Sequence, residues 1–342
     1  MTLIYFILIL GLVVFVHEFG HFIIAKKNGV YCYEFSLGMG PKLYSFKRKN
    51  DETTYSLRLL PIGGFVQMAG EEVDDDKNVP KDKKMYSKTV LQRMSIVLAG
   101  IINNFILGIL LLFLMSLLYG SPKTKPYIAS VDRAYNAYKV NVKEGDLITK
   151  LNNKKMKSLD DVLLEFQLIE EGSSVKLELK DKNGIRSVIV KPTKGEDGRY
   201  IYGIGFDSEN HKGFIHSIKY TFSKFGSIVR NLFKVLSKLI TGKLGINTLS
   251  GPIGIYNVVG EQSKQGFDNV IYLAAYISIN VGIVNLIPFP AFDGGRALFL
   301  IIEAIRKKPI DSKTENTIHT IGFAVLMLLI LVITINDIIR LF

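Results

Sequence analysis

What this sequence lacks narrows its reading first. A single cysteine, Cys32, occurs in 342 residues, so no intrachain disulfide can form and cysteine usage says nothing about redox compartment. No tandem repeat or low-complexity tract is present. The first long apolar run, Leu3 to Ala25, has no Lys or Arg ahead of it and no small-residue cleavage site behind it. A removable signal peptide is therefore not expected. Positive charge is in excess, with 43 Lys and Arg against 31 Asp and Glu and a formal net charge of +12, yet the basic residues are scattered. Most of them flank apolar spans, which points to membrane lipid as a partner and away from nucleic acid. No feature speaks to oligomeric state.

What is present starts inside that first apolar run. Val14-Phe15-Val16-His17-Glu18-Phe19-Gly20-His21 contains the pattern H-E-x-x-H. Positions i and i+4 share a helix face, so His17 and His21 project toward one point. Two imidazoles so placed can hold one zinc ion, with Glu18 as general base on water that the metal activates. A bare match of this kind also arises by chance on ordinary surface helices. Ionisable side chains within a membrane span are costly, however, and mark function by default. Lys26 and Lys27 follow directly, so the positive-inside tendency places them in the cytosol and the N-terminus outside.

The rest of the chain alternates apolar and polar blocks. After a first span at 1–25, residues 26–93 form a polar, patterned region expected to be a membrane-associated β structure on the cytosolic side. Its strands are expected at Leu43–Lys47 and Thr54–Leu59. Gly38, Gly40, Pro41, Pro61, Gly63 and Gly64 predict sharp turns, and the charge runs at Asp74–Asp76 and Lys81–Lys84 predict a solvated loop. A second span at 94–119 carries Asn103 and Asn104, for which two uses are open: an interhelical hydrogen bond, or a polar group facing the site. Residues 121–195 are a soluble α+β insert. It has a strand at Tyr127–Val131, the segment Glu144-Gly145-Asp146-Leu147-Ile148, a helix at Leu159–Leu168 and a hairpin over Val175–Val190. That order and the E-G-D-x-I segment resemble a PDZ domain, although Val140-Asn141 stand where such domains usually show Ala-Gly. Residues 213–243 are expected to form an amphipathic helix at the membrane surface.

An apolar region over 270–305 is too long for one straight span and is interrupted at Asn285 to Gly295. Pro288 and Pro290 remove backbone donors there. Irregular backbone at membrane depth is tolerated only where it packs in protein or lines a wet cavity. An isolated acid at that depth is costly unless paired or metal-bound. Asp293 is therefore the natural third ligand beside the two imidazoles, with a helix cap as the other use open to it. A fourth span at 318–336 leaves both termini outside. The expected fold class is a polytopic α-helical membrane protein of four spans with a membrane-associated β-hairpin and an inserted PDZ-like domain.

His17-Glu18-x-x-His21, Asn285-x-x-Pro288-x-Pro290-x-x-Asp293-Gly294 and the PDZ-like insert between them resemble the site-2 protease family, and within it the bacterial RseP-type branch. Ser250-Gly251-Pro252-Ile253-Gly254 matches a segment of that branch, while Phe292 and Arg296 replace residues the family usually shows as Leu and His. The resemblance implies an intramembrane zinc endopeptidase of the bacterial plasma membrane that cuts single-pass membrane helices, typically anti-sigma factors and leftover signal peptides. One zinc ion would be held by His17, His21 and Asp293, with Glu18 catalytic. Asn285, Pro288 and Pro290 would contact substrate, and a purely structural role is equally open to Asn285. It further implies that the Leu43–Leu59 hairpin enters the membrane and offers substrate an edge strand. Two other classes fit the intramembrane charges or the insert: a metal or proton transporter, and a catalytically inactive PDZ scaffold.

Overall fold

Hydropathy decides the architecture. In this computed structural model, which describes residues 1–71, 77–195, 198–207, 209–245 and 249–339, four helices are long and apolar enough to cross a bilayer. In chain order the elements are α1 (Thr2–Lys27), β1 (Cys32–Lys47), β2 (Thr54–Met68), α2 (Val90–Tyr119), β3 (Ile128–Val131), α3 (Asn136–Lys139), β4 (Leu147–Leu151), β5 (Lys154–Lys155), α4 (Leu159–Gln167), β6 (Val175–Asp181), β7 (Gly184–Val190), β8 (Thr193–Lys194), β9 (Tyr200–Ile201), β10 (Ile204–Phe206), α5 (Phe214–Ile240), α6 (Pro252–Gln265), α7 (Phe267–Leu286), α8 (Asp293–Arg306) and α9 (Ser312–Ile339). The spanning candidates are α1, α2, α7 and α9. The region read as one broken span over 270–305 is two helices. Only α7 is long enough to cross, because Pro288 and Pro290 stop it and the chain restarts as the shorter α8.

The chain divides into two units, Met1–Leu111 with Lys238–Phe342, and Leu112–Ser237. In the first, β1 and β2 double back on each other. Phe35 pairs with Val66 and also with Tyr55, and Tyr55 pairs in turn with Phe46. Residues 64–68, 32–37, 54–57 and 44–47 thus lie side by side in that order. The turns expected from glycine and proline are register shifts within long strands instead. Gly38 and Gly63 take φ of 87° and 90°, a region that a side chain disfavours and that bulges exploit. Phe22, Phe35, Val66, Ile96, Val97 and Leu300 bury a shared core between α1, the sheet, α2 and α8. Elsewhere in this unit, Asp337 of α9 accepts a 2.8 Å hydrogen bond from the Gly254 amide at the start of α6, so the Ser250–Gly254 segment ties those helices together. The acidic run at 74–76 lies outside the described residues. Lys84, expected in a solvated loop, is buried with its ammonium 6.0 Å from the Tyr86 ring.

The second unit holds the insert. Alternating Val175, Leu177 and Leu179 of β6 are fully buried with Ile128, Ile148, Leu151 and Val162, the inward face of a period-two strand. Asp146 of the E-G-D segment accepts from the Lys143 amide at 2.8 Å and pairs with Arg186. Ser158 and Asp161 form a reciprocal capping box that starts α4. The insert runs past the expected boundary at 195, because β3 pairs with β10. The α5 helix turns its cationic stripe to α4: Lys224 bonds Asp160 at 2.6 Å, and Arg230 reaches Asp161 at 3.4 Å. Phe214, Ile215, Phe222, Phe233 and Ile240 on α5 are exposed.

Candidate metal centre

The α1 helix buries His17 and His21 one turn apart on the face turned toward α2. Close approach there depends on Gly100 of α2, since a Cβ at that position would run into the His21 ring. The His21 Nδ1–H donates to the Ile96 carbonyl at 2.8 Å, which leaves the Nε2 lone pair free to ligate. From the other half of the chain, the loop after α7 and the first turn of α8 deliver Asp293. Its Oδ2 lies 3.2 Å from His17 Nε2 and 3.3 Å from His21 Nε2, and the two Nε2 atoms are 3.2 Å apart.

This triangle has the dimensions of a metal site. An ion about 2.0–2.1 Å from each ligand in tetrahedral directions separates the ligands by ~3.3–3.4 Å. The fit can be tested on Asp293 itself. Its Oδ2 is buried and receives no well-formed hydrogen bond, an arrangement that costs several kcal/mol for an isolated carboxylate oxygen unless a cation completes it. Two neutral imidazoles, one carboxylate and an open side therefore fit zinc. Glu18 stands next to His17 on the rim, with Gly64 packed near its side chain. All four residues line a cleft of about 1180 Å³.

The remaining sequence candidates separate. Asn285 sits half-buried in the last turn of α7, Pro288 is exposed, and Pro290 accepts a 3.2 Å hydrogen bond at its carbonyl from His319 of α9. The cleft is lined by Ala291, Phe292 and Asp293, and by none of those three. Its other wall is Phe65, Val66, Gln67 and Met68. That segment pairs with 32–37 on one side, and among the described residues no strand pairs with its other side. The edge strand beside the imidazoles is thus 64–68, beyond the Leu43–Leu59 hairpin. Arg296 also lines the cleft and pairs with Glu71. Gly63 and Gly64 carry the signature of a turn, and the four residues Phe65-Val66-Gln67-Met68 are too short a run to outweigh it.

A family model described as Peptidase family M50 matches residues 5–329. This chain belongs to that family. Among curated relatives, it is 34% identical to the Regulator of sigma-W protease RasP of Bacillus subtilis, covering 100% of this chain and 99% of the relative. It is 35% identical to the Zinc metalloprotease RasP of Bacillus licheniformis with the same coverage. Among solved structures, the PDZ domain of the SdrC-like protein from Listeria innocua is similar at 25% identity and a TM-score of 0.23, covering 25% of this chain and 99% of that domain. This M50 member is a multi-pass membrane zinc metalloprotease.

Proposed function

We propose that this M50 peptidase hydrolyses peptide bonds of single-pass membrane helices within the bilayer, with zinc held by His17, His21 and Asp293. The observation that carries this reading is the 3.2–3.3 Å triangle of ligand atoms beside Glu18, on a helix apolar enough to span. When bound, zinc supplies Lewis-acid polarisation of the scissile carbonyl and acidifies water. Glu18 takes the proton from the attacking water and passes it to the leaving amine nitrogen. The Ile96 carbonyl keeps the His21 ring in the tautomer that ligation needs.

A helical substrate has its carbonyls hydrogen-bonded and resists attack. Added as a strand to the open edge at 64–68, it is unwound and its scissile bond is presented over the cleft. Pro288 and Pro290 fix the turn that brings Asp293 to the imidazoles. The Bacillus subtilis relative's name points to a regulator of a sigma factor as substrate, of the anti-sigma class, with signal-peptide remnants as a further source. The site opens in the bacterial cell membrane, with both termini and the PDZ-like insert outside. There the insert excludes substrates with bulky outer domains, and α5 lays its exposed apolar residues along the membrane surface.

The test is cleavage of a reporter single-pass helix in vesicles by wild type, Glu18→Gln and chelator-treated protein. Cleavage by untreated wild type alone is expected. Equal processing by Glu18→Gln would overturn the proteolytic reading, and zinc-independent ion flux would favour a transporter.

A further inference from the structure

Asn104 of α2 is completely buried, and its side-chain amide nitrogen lies 3.2 Å from His17 Nδ1. Its own carbonyl is held at 2.8 Å by the Ser278 hydroxyl of α7, which fixes this part of α2 against the neighbouring helix. The amide oxygen, Oδ1, is buried with no hydrogen-bond partner. Asn103, next in sequence, points elsewhere and donates to the Val16 carbonyl at 3.3 Å.

These contacts bear on which proton His17 carries. An N–H donated to Nδ1 requires the Nδ1 lone pair, which puts the ring proton on Nε2. Nε2 faces Asp293 Oδ2 and His21 Nε2, so that proton would sit where a cation must be. A ligating Nε2 needs the proton on Nδ1 and an acceptor beyond it. The two ends of an amide have the same shape and exchange by a half-turn of the side chain. The turn brings the unpartnered Oδ1 to Nδ1.

We propose that Asn104 is the positioning residue for His17: its amide oxygen accepts the Nδ1–H and fixes the tautomer that presents Nε2 to the metal. His21 receives the same service from the Ile96 carbonyl, so both imidazoles are oriented by acceptors on one face of α2. This rests on the zinc reading above. It assigns Asn104 a role through His17, with no contact to substrate.

The test is zinc affinity of the full-length protein in detergent, measured by competition with a chromophoric chelator. Asn104→Leu removes the acceptor and is expected to weaken zinc binding by about 10–100-fold. Asn104→Asp keeps an acceptor and abolishes the donor, so it should bind within about threefold of wild type or more tightly. Asn103→Leu should leave affinity unchanged. The proposal is overturned if Asn104→Leu binds zinc as wild type does, or if Asn104→Asp is weakened about tenfold or more, an outcome that decides the matter even should the leucine variant fail to fold. Wild type that binds no zinc would sink the metal reading itself, a result distinct from either.

Discussion

Gly100 lies against His21 so closely that a methyl group on its α-carbon would overlap Nε2, and would stand 2.8 Å from His17 Cε1. The absence of a side chain on α2 is thus what lets α1 carry two imidazoles into the helix interface. Gly100→Ala should push both rings off their present positions, at an overpacking cost of about 1–3 kcal/mol. Zinc retained after dialysis should fall sharply relative to wild type; a variant that keeps full zinc content would show that the rings have room to move.

Glu18 and Asp293 should separate cleanly in their effects. Glu18→Gln preserves the His17, His21 and Asp293 triangle, so zinc content should stay at wild-type level while cleavage drops by about 10²–10⁴-fold. Asp293→Ala removes the proposed third ligand and should lose zinc and cleavage together. Metal analysis alongside a reporter cleavage assay distinguishes the two.

The open edge at 64–68 makes a prediction about substrate contact. Burial pushes the thiol of Cys32, the only cysteine, up to about 12, so it should stay silent toward thiol reagents at neutral pH. Gln67 is exposed at the cleft. Gln67→Cys in the Glu18→Gln background should form a disulfide with a cysteine placed near the scissile bond of a substrate helix. Cysteines at the tip of the β1–β2 hairpin, such as Lys49→Cys, should cross-link far less. Equal yields at both places would remove the edge-strand idea.

In the turn between β1 and β2, Asp51 bonds the Lys26 ammonium at 2.8 Å, which holds its carboxyl well below the usual carboxylate range. The Tyr55 hydroxyl and the Thr53 amide add to it. A folded-state value below the unfolded one contributes stability above the unfolded pKa of about 3.9, and that stability is lost as pH falls toward the folded value. Asp51→Asn should therefore lower the melting temperature at pH 7, and the gap to wild type should close as pH drops below about 4. A gap that stays constant with pH would mean the carboxylate charge contributes nothing.

Removing the insert tests its proposed filtering role. Since β10 completes the sheet begun by β3, the deletion should run over residues 122–206. Substrates that keep an intact outer domain should then be cut, with zinc content unaltered. Unchanged selectivity against such substrates would leave the insert without that role.

How much of this was legible in the sequence differs by element. The meeting of His17 and His21 could be read because helix periodicity alone sets i and i+4 together. Asp293 could be read because an acid amid prolines in an apolar region has few affordable partners. The edge strand could not, because Gly63 and Gly64 carry the signature of a turn whether they end a strand or kink one. Asn103 and Asn104 are neighbours about 100° apart on one helix, and only packing decides which faces His17. The helical spacing of 213–243 could be read; that Lys224 and Arg230 meet Asp160 and Asp161 could not, because the pairing joins segments far apart in sequence.

That last pairing has a mechanical corollary. Asp160 is gripped by Lys224 at 2.6 Å and by the Ser227 hydroxyl at 2.7 Å, and Ser158 meets Ser227 at 3.0 Å. Three such bonds tie the foot of α4 to the middle of α5. A force applied to either piece is transmitted to the other as to a lever welded to its handle.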